Sequence, residues 1–138
     1  MKVVLDTDVV LAAVLSERGA SRQLLLRVVD GLLPAIVSVP LMLEYEAVLK
    51  RPPHLQATGL TIGDMEIILD QLAASMQPVD LYFLWRPLLR DAEDDMVLET
   101  AVNSGADMIV TFNTGEFGDV PGRHGIEVGR PGDLFRRF

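Results

Sequence analysis

Short apolar runs ending in polar residues recur along this chain, and most lead into apolar residues at helical spacing. Val3-Val4-Leu5, preceded by Lys2, has the pattern of a buried strand; Asp6-Thr7-Asp8 follows, and Val9 to Leu15 is helical. In the next segment Leu24, Leu25, Val28 and Val29 face one way and Arg22, Gln23 and Arg27 the other, predicting an amphipathic helix that Ser21 caps and that ends near Gly31. Pro34 to Val39 reads as a second strand, with Pro40 in the first turn of a helix over Leu41 to Leu49. Arg51-Pro52-Pro53 stops that helix, and His54 to Leu60 is expected to be a loop. Beyond Thr61, residues Met65, Ile68, Leu69 and Leu72 have core spacing, while Asp64, Glu66 and Asp70 face solvent. Met76 to Leu84 fits either a short strand or a connection. A helix follows from Met96, Val97, Leu98, Ala101 and Val102, then a buried strand over Asp107 to Thr111, a short strand at Gly125 to Val128, and a helical stub after Pro131. Strands alternating with helices predict an α/β fold, with a central, mostly parallel sheet covered by helices on both faces.

The length of 138 residues suits a single domain, 1–138, large enough to bury roughly two-thirds of its unfolded surface. Hydrophobic residues make up 49% of the chain, yet charged positions interrupt every run before the ~20 residues a bilayer requires. The amino terminus lacks the layout of a secretory signal, so the expectation is a cytoplasmic protein with no membrane partner. The absence of cysteine excludes disulfides, thiolate metal sites and cysteine nucleophiles. Of the two histidines, His54 and His124, each lies in a Pro/Gly-flanked segment and reads as surface rather than ligand. A net charge of −8 argues against a protein that holds nucleic acid by a basic face alone. Clustered carboxylates that bind a metal would account for part of that excess.

Asp91, Glu93, Asp94 and Asp95 crowd the start of the helix that continues through Met96. Acids complement the exposed amides of a first helical turn, so their presence alone is ordinary. Two further acids change the picture. Asp6 stands at the carboxyl end of the first strand, where open parallel sheets collect functional groups. Glu44 borders the core face defined by Leu41, Val48 and Leu49, whereas Glu46 points elsewhere. If the fold brings Asp6, Glu44 and Asp94 together, three carboxylates require a cation to stay ionised together. The alternative is that Asp6 or Asp8 merely caps the following helix; otherwise Asp8 adds charge next to the site. Arg86 and Arg90 pair with nearby acids or hold phosphates, and Tyr82, Phe83 and Trp85 read as packing or dimer contacts.

The order and spacing of LDTD, of Ser38-x-Pro40-x-x-x-Glu44-Tyr45-Glu46, and of DAEDDMVLETAVNSGADMIVTFNTGEF resemble the PIN-domain family. More narrowly, they resemble the VapC-like toxins of prokaryotic toxin–antitoxin modules, over nearly the full chain. The resemblance implies a PIN-like three-layer sandwich and a Mg²⁺- or Mn²⁺-dependent ribonuclease. It carries the first three acids of the site onto Asp6, Glu44 and Asp94, with Asp91 or Asp95 able to assist. The last acid falls in the segment holding Asn113 and Glu116, which share that role. Asp8 departs from relatives that often have Asn there. The resemblance further implies an RNA substrate, a homodimer and an antitoxin protein as inhibitor.

The chemistry agrees independently, because phosphodiester hydrolysis needs an activated water and relief of charge in the transition state. Mg²⁺ takes a few carboxylates and several waters. Two rivals stand beside this reading. The run VVLDTDVV also resembles the first motif of haloacid-dehalogenase-type phosphatases, with Ser38 as a second motif, but Val10 stands where their Thr is expected. The other rival is an inactive PIN-like module that only binds a protein partner.

Overall fold

The central strand contains no polar residue. In the computed structural model, which describes residues 1–82 and 92–137, strand β1 (Val3–Leu5) is buried at all three positions. It pairs in parallel with β4 (Met108–Val110), which pairs in parallel with β5 (Glu127–Gly129). A second parallel pair, β2 (Ile36–Val37) with β3 (Gln77–Pro78), joins β1 through a bridge between Val3 and Ala35. Strands covered on both faces must be apolar throughout, and Met108, Ile109 and Val110 meet that demand as Val3, Val4 and Leu5 do. This is the parallel α/β architecture that the alternation of patterns predicts.

The first helix, α1 (Thr7–Leu15), starts without a loop: Asp6 is its N-cap, in extended backbone geometry. Helix α2 (Ala20–Val29) begins after Gly19, so Ser21 is a buried helical residue and not the expected cap. Helix α3 (Val39–Leu49) is capped by Ser38, with Pro40 in its first turn as predicted. The proline pair that stops α3 also opens α4 (Pro52–Thr58), which replaces the loop expected after His54. Proline lacks only a donor that a first helical turn leaves unused, so the same residues end one helix and begin the next. Gly59 closes α4 in the left-handed conformation, at φ 73°. His54 thereby lies on a helix, with its Nδ1 against the Val48 carbonyl at the end of α3.

Helix α5 (Ile62–Ser75) opens with a capping box, in which Thr61 and Asp64 satisfy each other's backbone amides. Asp64 is therefore a structural cap and not merely a solvated acid. Strand β3 settles the ambiguity after Met76 in favour of a short strand. Helix α6 (Ala92–Ser104) lies across β1, β2 and β4, burying Val97, Leu98 and Ala101. A 3-10 helix (Thr114–Phe117), α7 (Val120–Arg123) and α8 (Pro131–Phe135) complete the chain. Phe83, Trp85, Arg86, Arg90 and Asp91 lie outside the described residues, whereas Tyr82 is exposed.

Candidate active site

Strand register assembles the site. Leu5 pairs with Val110, so the next residues, Asp6 and Thr111, stand level at the carboxyl edge of the sheet. The Asp6 amide continues the ladder to the Val110 carbonyl at 2.9 Å, and the Thr111 amide continues the next one to Gly129 at 2.9 Å. At that height the Thr111 hydroxyl donates to Asp6 Oδ2 at 2.7 Å, while Asp6 Oδ1 accepts the Thr7 amide at 2.7 Å. Both oxygens of Asp6 are thus fixed by neutral donors, and the residue is only 8% exposed.

Asp8, in the first turn of α1, reaches over the same edge to the loop after β4. Its Oδ2 accepts the Phe112 amide at 3.1 Å and the Asn113 side-chain amide at 3.2 Å, with the Thr111 hydroxyl at 3.4 Å. Asn113 in turn donates its backbone amide to Thr111 Oγ1 at 3.0 Å. The first of the two sequence alternatives for Asp8, a helix cap, is therefore set aside, because Asp6 is the cap. Asp8 Oδ1 is buried and has no hydrogen-bond partner among the described residues.

Asp94 is buried in the first turns of α6, and its charge acts on Asp6. Burial pushes the Asp6 carboxyl up to about 7; the neighbouring Asp8 charge adds to this, Thr111 and Thr7 oppose it, and Asp94 raises it further. Burial likewise raises Asp8, against the Phe112 and Val9 amides and the Thr111 hydroxyl. Glu44 is half-buried in α3 with its Oε1 fully enclosed, whereas Glu46 is exposed and pairs with Lys50 at 3.6 Å. The inward member of that pair is the one expected. The adjacent Tyr45 is fully buried and donates its hydroxyl to the Leu5 carbonyl, tying α3 to the strand end just before Asp6. Glu116 is exposed on the 3-10 helix.

Asp6, Asp8, Thr111 and Asn113 are brought into direct contact, and Asp94 joins them electrostatically. Among the described residues no three acid or histidine side chains already converge as a ready-made metal nest. The donor set nonetheless fits a hard divalent cation: all its groups are oxygens, and Asp8 presents a buried carboxylate oxygen with no protein donor. Thr111 and Tyr45 were not singled out in the sequence. A threonine directly after a buried strand, level with Asp6, is the signal that finds the first; nothing local marks the second. Asp95 and Glu99, at 2% and 0% exposure, are further buried acids on α6.

Ser38 is committed to structure. Its oxygen accepts the Leu41 amide at 3.4 Å and pairs with the Thr100 hydroxyl at 2.7 Å, which itself donates to the Met96 carbonyl at 2.7 Å. A cavity of about 400 Å³ between α1, α2 and α5 is lined by none of the site acids.

A profile of the PIN domain family matches residues 2–115. The chain belongs to the PIN domain family. That match spans the first strand, Glu44, Asp94 and Asn113, and ends just before Glu116. This PIN domain is similar in fold to a chain in the crystal structure of VapBC2 from Rickettsia felis bound to a DNA fragment from their promoter. The two share 18% sequence identity over 94% of this chain and 98% of that one, with a TM-score of 0.64. No curated protein matches this PIN domain. Membership of the family leaves the dehalogenase-type reading of Asp6, Asp8 and Ser38 without support. No helix among the described residues is long and apolar enough to cross a membrane.

Proposed function

We propose that this PIN domain is a divalent-metal-dependent ribonuclease and the toxin of a toxin–antitoxin pair. PIN domains are in general nucleases, and the observation that carries the reading here is the pair Asp6 and Asp8, bridged by the Thr111 hydroxyl at the carboxyl ends of β1 and β4, with the charge of Asp94 acting on Asp6. Burial and like charge raise the cost of keeping these acids ionised, and a cation removes that cost. Asp6, Glu44 and Asp94 would hold Mg²⁺ or Mn²⁺, with either Asn113 or Glu116 completing the set. A bound cation supplies charge relief to the phosphodiester and acidifies water.

The protein's own part is preorganisation. Thr111 and the Thr7 amide fix the Asp6 carboxylate, so no reorientation is needed when a cation or substrate arrives. Tyr45 satisfies the last carbonyl of β1, keeping the strand end dry and in place. The acids also repel an RNA backbone in the absence of metal. Substrate binding, and not only turnover, is therefore metal-dependent.

The likeness to a chain of the VapBC2 complex supports an antitoxin protein as partner. Exposed apolar residues such as Val39 and Leu43, one turn apart on α3, support a homodimer. A cytoplasmic localisation accords with the proposed RNA substrate.

The deciding experiment is cleavage of a mixed RNA pool by the purified protein with Mg²⁺, Mn²⁺ or EDTA, beside Asp6→Asn and Asp94→Asn. Metal-dependent cleavage lost in both variants supports the reading. Cleavage indifferent to both variants, or undiminished in EDTA, sinks it. Growth arrest on expression in a bacterial host, relieved by Asp6→Asn, tests the toxin role.

A further inference from the structure

We propose that the carboxylate contributed from the loop side of this site is carried by Asp8 at the start of α1, and that Asn113 is the amide that orients it. The inference rests on the metal-dependent reading above and assigns a residue within it. The loop after β4 offers Asn113 and Glu116 as candidates, but Glu116 is exposed. Asn113 spends a side-chain N–H on Asp8 Oδ2 at 3.2 Å. A carboxylate has no donor, so the nitrogen and not the oxygen of Asn113 must face it. In that pose Asn113 acts as a donor to an acid, which is the role of an orienting residue, and its Oδ1 takes no part in the contact.

The two oxygens of Asp8 are used differently. Oδ2 gathers Phe112, Asn113 and, more weakly, Thr111, and so anchors the loop. Oδ1 is buried with no hydrogen-bond partner among the described residues. A buried anionic oxygen left in that condition is costly unless something else takes its lone pairs. Thr111 links the two acids, since its hydroxyl donates to Asp6 Oδ2 and approaches Asp8 Oδ2. The negative charge of the 8/113 pair thus sits on the helix side of a 3.2 Å contact. Exchanging the two residues would move it to the loop side while keeping the bond.

The test is Mn²⁺ titration calorimetry on the full chain and three variants: Asp6→Asn, Asp8→Asn, and the exchange Asp8→Asn with Asn113→Asp. Asparagine at position 8 retains an acceptor for the Phe112 amide, so a purely structural role would survive the single substitution; circular dichroism melting verifies the fold. Asp6→Asn and Asp8→Asn are each expected to weaken Mn²⁺ binding by about tenfold or more, and the exchange to recover it to within about threefold. Normal Mn²⁺ affinity in Asp8→Asn, with affinity lost in Asp6→Asn, overturns the assignment of Asp8 and leaves the metal-dependent reading standing. Normal affinity in both overturns that reading and this inference with it. Weakening that the exchange does not recover overturns the pairing with Asn113.

Discussion

Two regions of this molecule use aspartate and glutamate in opposite ways. Around β5 and α8 each acid meets a cation: Glu127 pairs with Arg137 at 2.6 Å, and Asp133 with Arg136 at 2.6 Å. Their carboxyls are held below the usual range, by the Arg137 guanidinium for Glu127 and by the Arg130 amide followed by Arg136 for Asp133. At the end of β1, Asp6 and Asp8 meet hydroxyl and amide donors and each other, and both are raised. The first arrangement is complete without a ligand and sits in water, where ion pairs contribute little. The second is buried, of one sign, and gains from an added cation. Residue type does not distinguish the two; burial and the sign of the neighbours do.

The sharpest way to break this contrast is substitution at the buried acids. Asp6→Asn is expected to lower RNA cleavage by about 10²-fold or more while leaving the fold intact, measured as initial rates in Mn²⁺. Equal loss on removing Arg136 or Arg137 would erase the distinction between the regions. Next in size is the pH dependence of stability without metal. A carboxyl raised from 3.8 to about 7 binds more protons folded than unfolded between those values. Its contribution is fully present below pH 3.8 and is lost as pH rises through 7, by a few kcal/mol at most. Thermal melts in EDTA should therefore show a decline over that window that is smaller in Asp6→Asn, where only the raised Asp8 remains, and reversed by Mn²⁺.

A smaller effect is expected from Thr111→Val, which strips Asp6 Oδ2 of its hydroxyl donor and costs about 1–3 kcal/mol in a denaturant titration. The cost should shrink when Asp6 is also Asn, since the two residues act as one unit. Smallest of all is Arg137→Ala. Glu127 is lowered, so its stabilisation is present above the ordinary carboxylate pKa and lost as pH falls through the folded value. The expected change in melting temperature at pH 7 is within the scatter of replicate scans, with RNA cleavage unchanged.

Much of the architecture is legible in local pattern. β1 and β4 are unbroken apolar triplets, α2 has a two-sided distribution of side chains, and Pro40 marks the start of α3. The inward turn of Glu44 against Glu46 also follows from helical spacing alone. The missed elements have local causes of their own. Pro52-Pro53 reads equally as an end and a beginning, and α7 (Val120–Arg123) is four residues with a proline and a glycine, too short for periodicity to register. β3 contains only two residues, one of them Pro78, so pairing with β2 and not propensity makes it a strand.

By itself, the sequence determined which acids stand at strand ends and helix starts, because those positions follow from apolar runs read one residue at a time. Only the tertiary structure decided how the acids meet. Asp6 and Thr111 are separated by 105 positions, as are Asp8 and Asn113, and each pair meets because β1 and β4 align in one register. That register is set by the packing of two buried strands beneath α6. No window along the chain contains both partners, so no local pattern could assign Thr111 to Asp6 or Asn113 to Asp8.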